Sequence, residues 1–250
     1  MSDGWLLPDW PAPSRVRAAV STRLLPGHSQ PPYEHFNLGV NSGDALDAVR
    51  ANRAAVTDML SLPSAPHWLQ QVHGIDVMHV DAGAEARGVP ARADASVTTH
   101  AGQPLAILTA DCLPVLFCTR DGSAVAAAHA GWRGLQAGVL EATLHALPAS
   151  PDQVLAWLGP CIGALSYEVG EEVRDAFLAS DPGADACFQA TRPGHWWCDL
   201  AALARRRLRA AGVLDVYGGG FDTLTDKRFY SYRRDAAHSG RFVSLIWLTD

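Results

Sequence analysis

The segment that most restricts the fold of this chain runs from residue 105 to residue 130. Leu105–Thr109 and Val115–Thr119 read as buried strands, Asp121-Gly122 as a hairpin turn signal, and Ser123–His129 as the returning strand. With Asp121-Gly122 as a two-residue turn, Arg120 faces Ser123, and the same register places His129 opposite Pro114. Cys112 lies two residues from Pro114 and so shares its face, diagonal to His129 at roughly 7–8 Å between backbones. Two metal-ligand side chains thus meet at one end of an apolar hairpin. Pro114 cannot donate to a ladder, which marks it as a place for a bulge.

A thiol and an imidazole on one sheet face fit three arrangements. They can hold a metal, form a nucleophile pair with Cys112 attacking and His129 as base, or be a buried cysteine beside a hydrogen-bonded core histidine. Their surroundings favour chemistry. Asp111 interrupts an otherwise apolar run just before Cys112, and His129 leads through Gly131-Trp132-Arg133-Gly134 into a helix. An arginine among free backbone N–H groups at a helix start suits an anion, either phosphate or carboxylate.

The rest of the chain alternates strands and helices without a regular βαβ series. Val16–Arg23 reads as a strand, followed by a loop rich in breakers to Asn37-Leu38-Gly39. Asp44 is placed to cap a helix whose apolar face is Leu46, Val49, Val56 and Leu60. Short β runs follow at Asp76–Val80 and Ala95–Thr99, and Gly131 opens a helix to about Leu147. A strand at Val154–Leu158, a loop at Gly159–Gly163 and an acidic-capped helix at Glu171–Leu178 come next. Asp199 caps a helix over Leu200–Ala211 that stops at Gly212, and Val213–Tyr217 and Phe242–Leu248 close as strands. Such a pattern indicates a mixed sheet covered by helices. Neither GxGxxG nor GxxxxGK[ST] occurs. With no linker or repeat, residues 1–250 read as one domain.

Composition excludes several classes. Twenty Lys plus Arg against 26 Asp plus Glu give a net charge of −6, which argues against nucleic-acid binding. The most apolar stretch, from Pro104, reaches Asp111 after seven residues, so no membrane span is expected. Five cysteines without a CxxC pair suit a reducing compartment, and the amino terminus lacks a secretory pattern. A cytoplasmic protein acting on a small molecule is the expectation; the oligomeric state is not legible.

The ordered strings Gln71-Val72-His73-Gly74, Ala93-Asp94-Ala95, TADCLPV at 109–115, AHAGWRG at 128–134, GPCIG at 159–163, YEVG at 167–170 and SYRRD…GR at 231–241 resemble the YfiH-type family. That family was named for a laccase domain, is also called polyphenol oxidase, and is described as multifunctional purine nucleoside phosphorylases. Some bacterial members are called peptidoglycan editing factors. The resemblance implies a layered α/β/β/α sandwich in a single domain, with Zn²⁺ held by His73, Cys112 and His129. Two imidazoles and one thiolate suit zinc and leave a fourth position open, as in catalytic sites. The implied activity is phosphorolysis of adenosine, inosine, guanosine and methylthioadenosine, with deamination of adenosine. The alternatives are an editing hydrolase that removes misincorporated Ser from a cell-wall precursor, and a metal-free Cys-His hydrolase on Cys112.

Asp111, beside a ligand, and Asp94, in the Ala93-Asp94-Ala95 string, are candidates for moving a proton or orienting a ligand histidine. Arg133 is the first candidate for the anion, with Arg23 and the Arg233-Arg234 pair competing, Arg233 foremost, and Gln71 is a further substrate-binding candidate. His79, His100 and His145 read as ordinary histidines, Cys161 as a buried turn residue, and Cys118, Cys187 and Cys198 as without function. The chain departs from the family at Phe221-Asp222, ten residues before Ser231, where many relatives carry Cys and Thr. That puts the packing of the Gly218-Gly219-Gly220 loop in question. Multicopper chemistry needs several His-X-His pairs, and none of the ten histidines forms one, so copper is expected only as an adventitious occupant in vitro.

Overall fold

Alternation along the central hairpin decides how the layers stack. In the computed structural model, which describes residues 4–85 and 89–250, Leu113–Thr119 and Val125–Ala130 pair antiparallel, with Pro114 opposite His129. Leu113, Val115, Phe117, Ala126, Ala128 and Ala130 point to one side, where they bury against helices. Leu116, Cys118, Val125 and Ala127 point to the other, where a second sheet covers them. Both faces of the hairpin are therefore core, which is why its sequence is apolar without interruption.

The hairpin lies inside a six-stranded sheet, ordered Asp215–Gly218, Val154–Leu158, Leu113–Thr119, Val125–Ala130, Ala95–Thr98, Val77–His79. Its outermost pairs are parallel and its inner ones antiparallel. A four-stranded antiparallel sheet packs on it, ordered Trp5–Leu6, Val16–Ser21, Phe242–Leu248, Leu105–Thr109. On its far face lies the helix Leu46–Leu60, with Val56 against Ala106, Val243, Leu245 and Trp247. The helices Val139–Ala146, Glu171–Leu178 and Leu200–Ala210 cover the far face of the larger sheet. The result is the expected mixed α/β order of helix, sheet, sheet and helix. No helix among the described residues is long and apolar enough to cross a membrane.

Four local expectations are corrected. Pro114 causes no bulge, because the N–H of His129 donates to the Asp94 carbonyl at 2.7 Å on its other neighbour, so the pair with Pro114 needs no ladder donor. The hairpin turn is wider than two residues: the Thr119 N–H donates to the Ala124 carbonyl at 3.0 Å, with the register preserved. The expected helix from Gly131 is two helices, Trp132–Ala137 and Val139–Ala146, broken at Gly138 with φ +107°. Asp44 is not a cap. Its carboxylate accepts from Asn37 and from the Ala45 N–H, while the helix begins without a side-chain cap.

Asp199 does cap its helix, accepting from the Ala202 N–H at 2.8 Å, and Gly212 follows in the left-handed region at φ +98°. Asp199→Ala should cost about 1 kcal/mol. Urea unfolding should show a lower midpoint at unchanged slope, and an unchanged midpoint would count against the cap as a stabilising contact.

Candidate metal centre

Three segments deliver one ligand each. His129 ends the Val125–Ala130 strand on the face between the sheets, 3% exposed. Cys112 precedes the Leu113–Thr119 strand, and His73 projects from the turn after Leu69–Gln70, with φ +60°. The donor atoms of His73, Cys112 and His129 all lie within 4.8 Å of one another. Cys112 Sγ stands 3.8 Å from His73 Nε2, and the two imidazoles meet edge to face at 4.7 Å. A Cβ on Gly131 would fall 2.6 Å from His73 Cδ2 and 3.1 Å from Cys112 Sγ, so only glycine leaves the trio its space. Two imidazoles and a thiol at such separations fit a tetrahedral transition metal with one open position.

Asp94 organises this trio. It is fully buried, and its Oδ1 accepts from His129 Nδ1 at 2.8 Å and from the His73 N–H at 2.9 Å. Its Oδ2 accepts from the Gly74 N–H at 2.7 Å, and both oxygens take the Val72 N–H. Binding at Nδ1 leaves His129 Nε2 as the nitrogen that can ligate. Burial opposes ionisation of Asp94, but the His129 bond and the amides of Gly74 and Val72 hold it below the usual carboxylate range. Burial likewise opposes ionisation of Cys112, and the adjacent His129 and His73 overcome this, bringing the thiol down to about 6. Burial alone would lower His129, but Cys112 and Asp94 raise it to about 9. The site is built to keep sulfur ionised, the form that binds metal.

The trio lies in the lining of a cavity of about 570 Å³. Arg133 borders it, exposed, with its guanidinium 4.4 Å from the Trp132 ring. Arg233 borders it too, stacked on Tyr167 at 5.2 Å and donating to the Glu168 carbonyl at 3.2 Å. Other expected site residues have structural partners. Asp111, at φ +83°, accepts from Thr223 Oγ1 and from the Arg233 N–H, each at 2.6 Å, and so fastens the 223–233 segment to the cavity wall. Gln71 exchanges two 2.8 Å hydrogen bonds with the backbone of Leu108, extending a strand edge with its amide. Arg23 lies outside the cavity lining, bonded to the Glu34 carbonyl and set 3.7 Å from Asp235.

His79, His100 and His145 are also outside it, and the buried Cys161 has its thiol pushed up by burial. Two cavity arginines were missed: Arg53 and Arg241. Arg53 had a readable signal, since Asn52 and Arg53 are polar residues on the buried face between Val49 and Val56. Phe221 packs between Trp157 and Phe229 at 6.0 and 6.2 Å, and Asp222 accepts from the Gly163 N–H and from Ser166 and Thr225 hydroxyls. Both departures from the family pattern thereby serve to anchor the late loop.

A mixed α/β fold carrying a His₂Cys trio beside a cavity with four arginines defines the class. The family described as multi-copper polyphenol oxidoreductase laccase matches residues 17–249, and the chain belongs to it. It is 51% identical over 251 aligned residues to a protein of Xylella fastidiosa (strain 9a5c) named purine nucleoside phosphorylase, covering 97% of this chain and 96% of that one. The protein of Escherichia coli (strain K12) named purine nucleoside phosphorylase YfiH is 48% identical over 244 residues, covering 97% and 98%. Among solved structures, a Neisseria meningitidis protein superposes with a TM-score of 0.93 at 46% identity, covering 99% of this chain and all of that one. YlmD from Geobacillus stearothermophilus gives 0.91 at 30% identity, covering 100% and 98%. The resemblance read from the motifs holds along nearly the whole chain.

Asp94→Asn turns one of the two acceptor oxygens into an amide donor that faces two of those backbone N–H groups, so metal affinity should fall about 10–100-fold in chelator competition. Gly131→Ala should displace His73 or Cys112 and release the metal under the same competition. Retention of wild-type affinity in both variants would remove Asp94 and Gly131 from the construction of the centre.

Proposed function

We propose that this chain is a zinc-dependent purine nucleoside phosphorylase acting on adenosine, inosine, guanosine and methylthioadenosine, with adenosine deamination at the same site. The observation that carries the reading is a cluster of three ligand side chains beside an arginine-lined cavity, in a chain closely similar to proteins named purine nucleoside phosphorylase. Residues 1–250 act as one domain in this reading. Zinc held by His73, Cys112 and His129 would serve as a Lewis acid with one position open to the cavity. Copper in the same N/S ligand set would be adventitious.

The protein's own groups divide the remaining work. Arg133 supplies a planar donor fork to the phosphate acceptor at the start of the Trp132–Ala137 helix. Asp94 holds His129 and the His73 turn, and its complete burial makes it a positioning residue rather than a proton donor to substrate. Asp111 fixes the wall that carries Arg233. The purine and sugar are small-molecule ligands well within the size of the cavity. A cytoplasmic location accords with the five free cysteines.

A Cys-His hydrolase would draw on the same lowered Cys112 thiol, but it has no use for His73 at 3.8 Å from the sulfur. Elemental analysis separates the two. About one zinc per chain is expected, lost on Cys112→Ala, His73→Ala or His129→Ala, and stoichiometric zinc in all three variants would refute the ligand set.

Zinc-loaded protein given adenosine with phosphate should yield adenine and ribose-1-phosphate, and without phosphate inosine. Arg133→Lys keeps the charge but loses the fork, so it should raise the phosphate concentration needed for half-maximal rate while zinc content stays constant. If none of the four nucleosides releases its free purine base in the presence of phosphate, and adenosine gives no inosine, the reading fails.

A further inference from the structure

Four arginines border the cavity, and none has a carboxylate partner among the described residues. Arginines elsewhere are commonly paired, as Arg207 is with Glu141 and Arg228 with Asp226. Those of the cavity lie over aromatic faces, Arg53 over Trp68 at 4.2 Å, Arg133 over Trp132 at 4.4 Å, Arg233 over Tyr167 at 5.2 Å and Arg241 over Tyr232 at 5.9 Å, and Arg241 Nη1 also donates to the Ser239 and Gly240 carbonyls at 2.8 Å, which leaves its Nη2 and Nε for a ligand. Among the described residues Asp111 is the one carboxylate that lines the cavity, and it is occupied by Thr223 and the Arg233 N–H. Stacking fixes a guanidinium without neutralising it. Arg133 and Arg233 reach solvent, whereas Arg53 and Arg241 are half-buried without a carboxylate, a placement that an arriving opposite charge makes favourable, so the cavity is matched to an anionic ligand.

The four fall into two corners. Arg53 donates from Nε to the Leu38 carbonyl at 2.9 Å, and the Leu38 N–H donates to the Arg241 carbonyl at 3.0 Å. A Cβ on Gly39 would lie 2.7 Å from Arg241 Cγ, so Arg53 and Arg241 flank the same Leu38–Gly39 backbone. Arg133 and Arg233 belong with Tyr167: burial pushes its phenol up, and these two are the cations that oppose the shift. Burial also lowers Arg53 to about 10, which still leaves it fully charged at neutral pH. A single phosphate is satisfied by one or two guanidinium forks. If the acceptor phosphate occupies the Arg133 corner, the Arg53 and Arg241 pair is left with charge for a second anion.

We propose that the Arg53–Arg241 corner is a second phosphoryl site, which takes the 5′-phosphate of a purine nucleotide or a second free phosphate while the Arg133 corner holds the first. The cavity then binds phosphorylated nucleosides in preference to nucleosides. This rests on the reading of the cavity as a purine nucleoside site and extends it to the ligand class.

Isothermal titration of the zinc-loaded full chain with adenosine and with adenosine 5′-monophosphate tests it, in chloride buffer free of phosphate. The monophosphate should bind at least about tenfold more tightly. Arg53→Gln and Arg241→Gln should each reduce that ratio to near one, Arg53→Lys, which keeps the charge and loses the fork, should give an intermediate ratio, and Arg133→Gln should preserve it. Inorganic phosphate alone should bind with two sites per chain, reduced to one by either Arg53→Gln or prior saturation with the monophosphate. Those last results distinguish the two sources of the phosphoryl group. Equal affinity for both adenosine ligands, or a preference abolished by Arg133→Gln rather than by the Arg53 and Arg241 variants, overturns the proposal. Zinc content and melting temperature of each variant report folding, and Arg241→Gln gives an independent reading should Arg53→Gln fold poorly. Failure to turn over nucleosides would defeat the phosphorylase reading and leave these binding ratios measurable.

Discussion

The Asp94 carboxylate is the contact on which the site depends. Sequestered completely from solvent, it satisfies three consecutive amides of the His73 turn and the Nδ1 of His129, while its own carbonyl takes the His129 N–H. Charge-assisted hydrogen bonds of this kind contribute about 1.5–3 kcal/mol each, and losing the acceptor would strand several buried donors. One side chain thus joins a loop with left-handed backbone at His73 to a strand end, and sets which nitrogen of His129 faces the sulfur. The arrangement resembles the carboxylate support of other metal-binding imidazoles, extended here to the backbone that carries a second ligand.

That contact is precise because the layers around it are rigid. The hairpin is buried on both sides, with Phe117, Val115, Ala126, Ala128 and Ala130 receiving the helices and Leu116, Cys118, Val125 and Ala127 meeting the second sheet. The His₂Cys trio sits where the inter-sheet core ends, so its walls come from close-packed strands while its mouth is formed by loops. Asp111 and Asp222 fasten those loops through hydroxyl and amide donors, and Phe221 adds its ring to the aromatic contacts with Trp157 and Phe229. Function is thereby carried on strand ends and short loops held by a common core.

Charge is distributed unevenly over an acidic chain. A net charge of −6 coexists with a cavity in which four arginines face one engaged carboxylate. Local fields of this sort are decided by which charges are paired, not by the total. The aromatic faces of Trp68, Trp132, Tyr167 and Tyr232 orient the guanidiniums and leave their charge available to a ligand.

Features that depend on local periodicity and pairing are legible in the chain before it folds. The strands Leu105–Thr109, Val154–Leu158 and Phe242–Leu248 and the helix Glu171–Leu178 lie at the residues read from pattern, and His129 faces Pro114 in the register counted from the turn. The convergence of Cys112 and His129 followed from that count, and His73 came from motif resemblance, since nothing local links it to a strand pair far along the chain. Tertiary structure decided the rest. Pro114 escapes a bulge only because Asp94 takes the neighbouring N–H, and Asp44 loses its capping role to Asn37. Gln71 and Arg23 look like ligand binders in one dimension, yet Leu108, Glu34 and Asp235 occupy them; Arg53 and Arg241 border one cavity because the chain folds each of them against Leu38–Gly39. A polar side chain advertises its donors in the sequence, but which partner satisfies them is fixed by long-range packing, and that leaves some free for a ligand and others not.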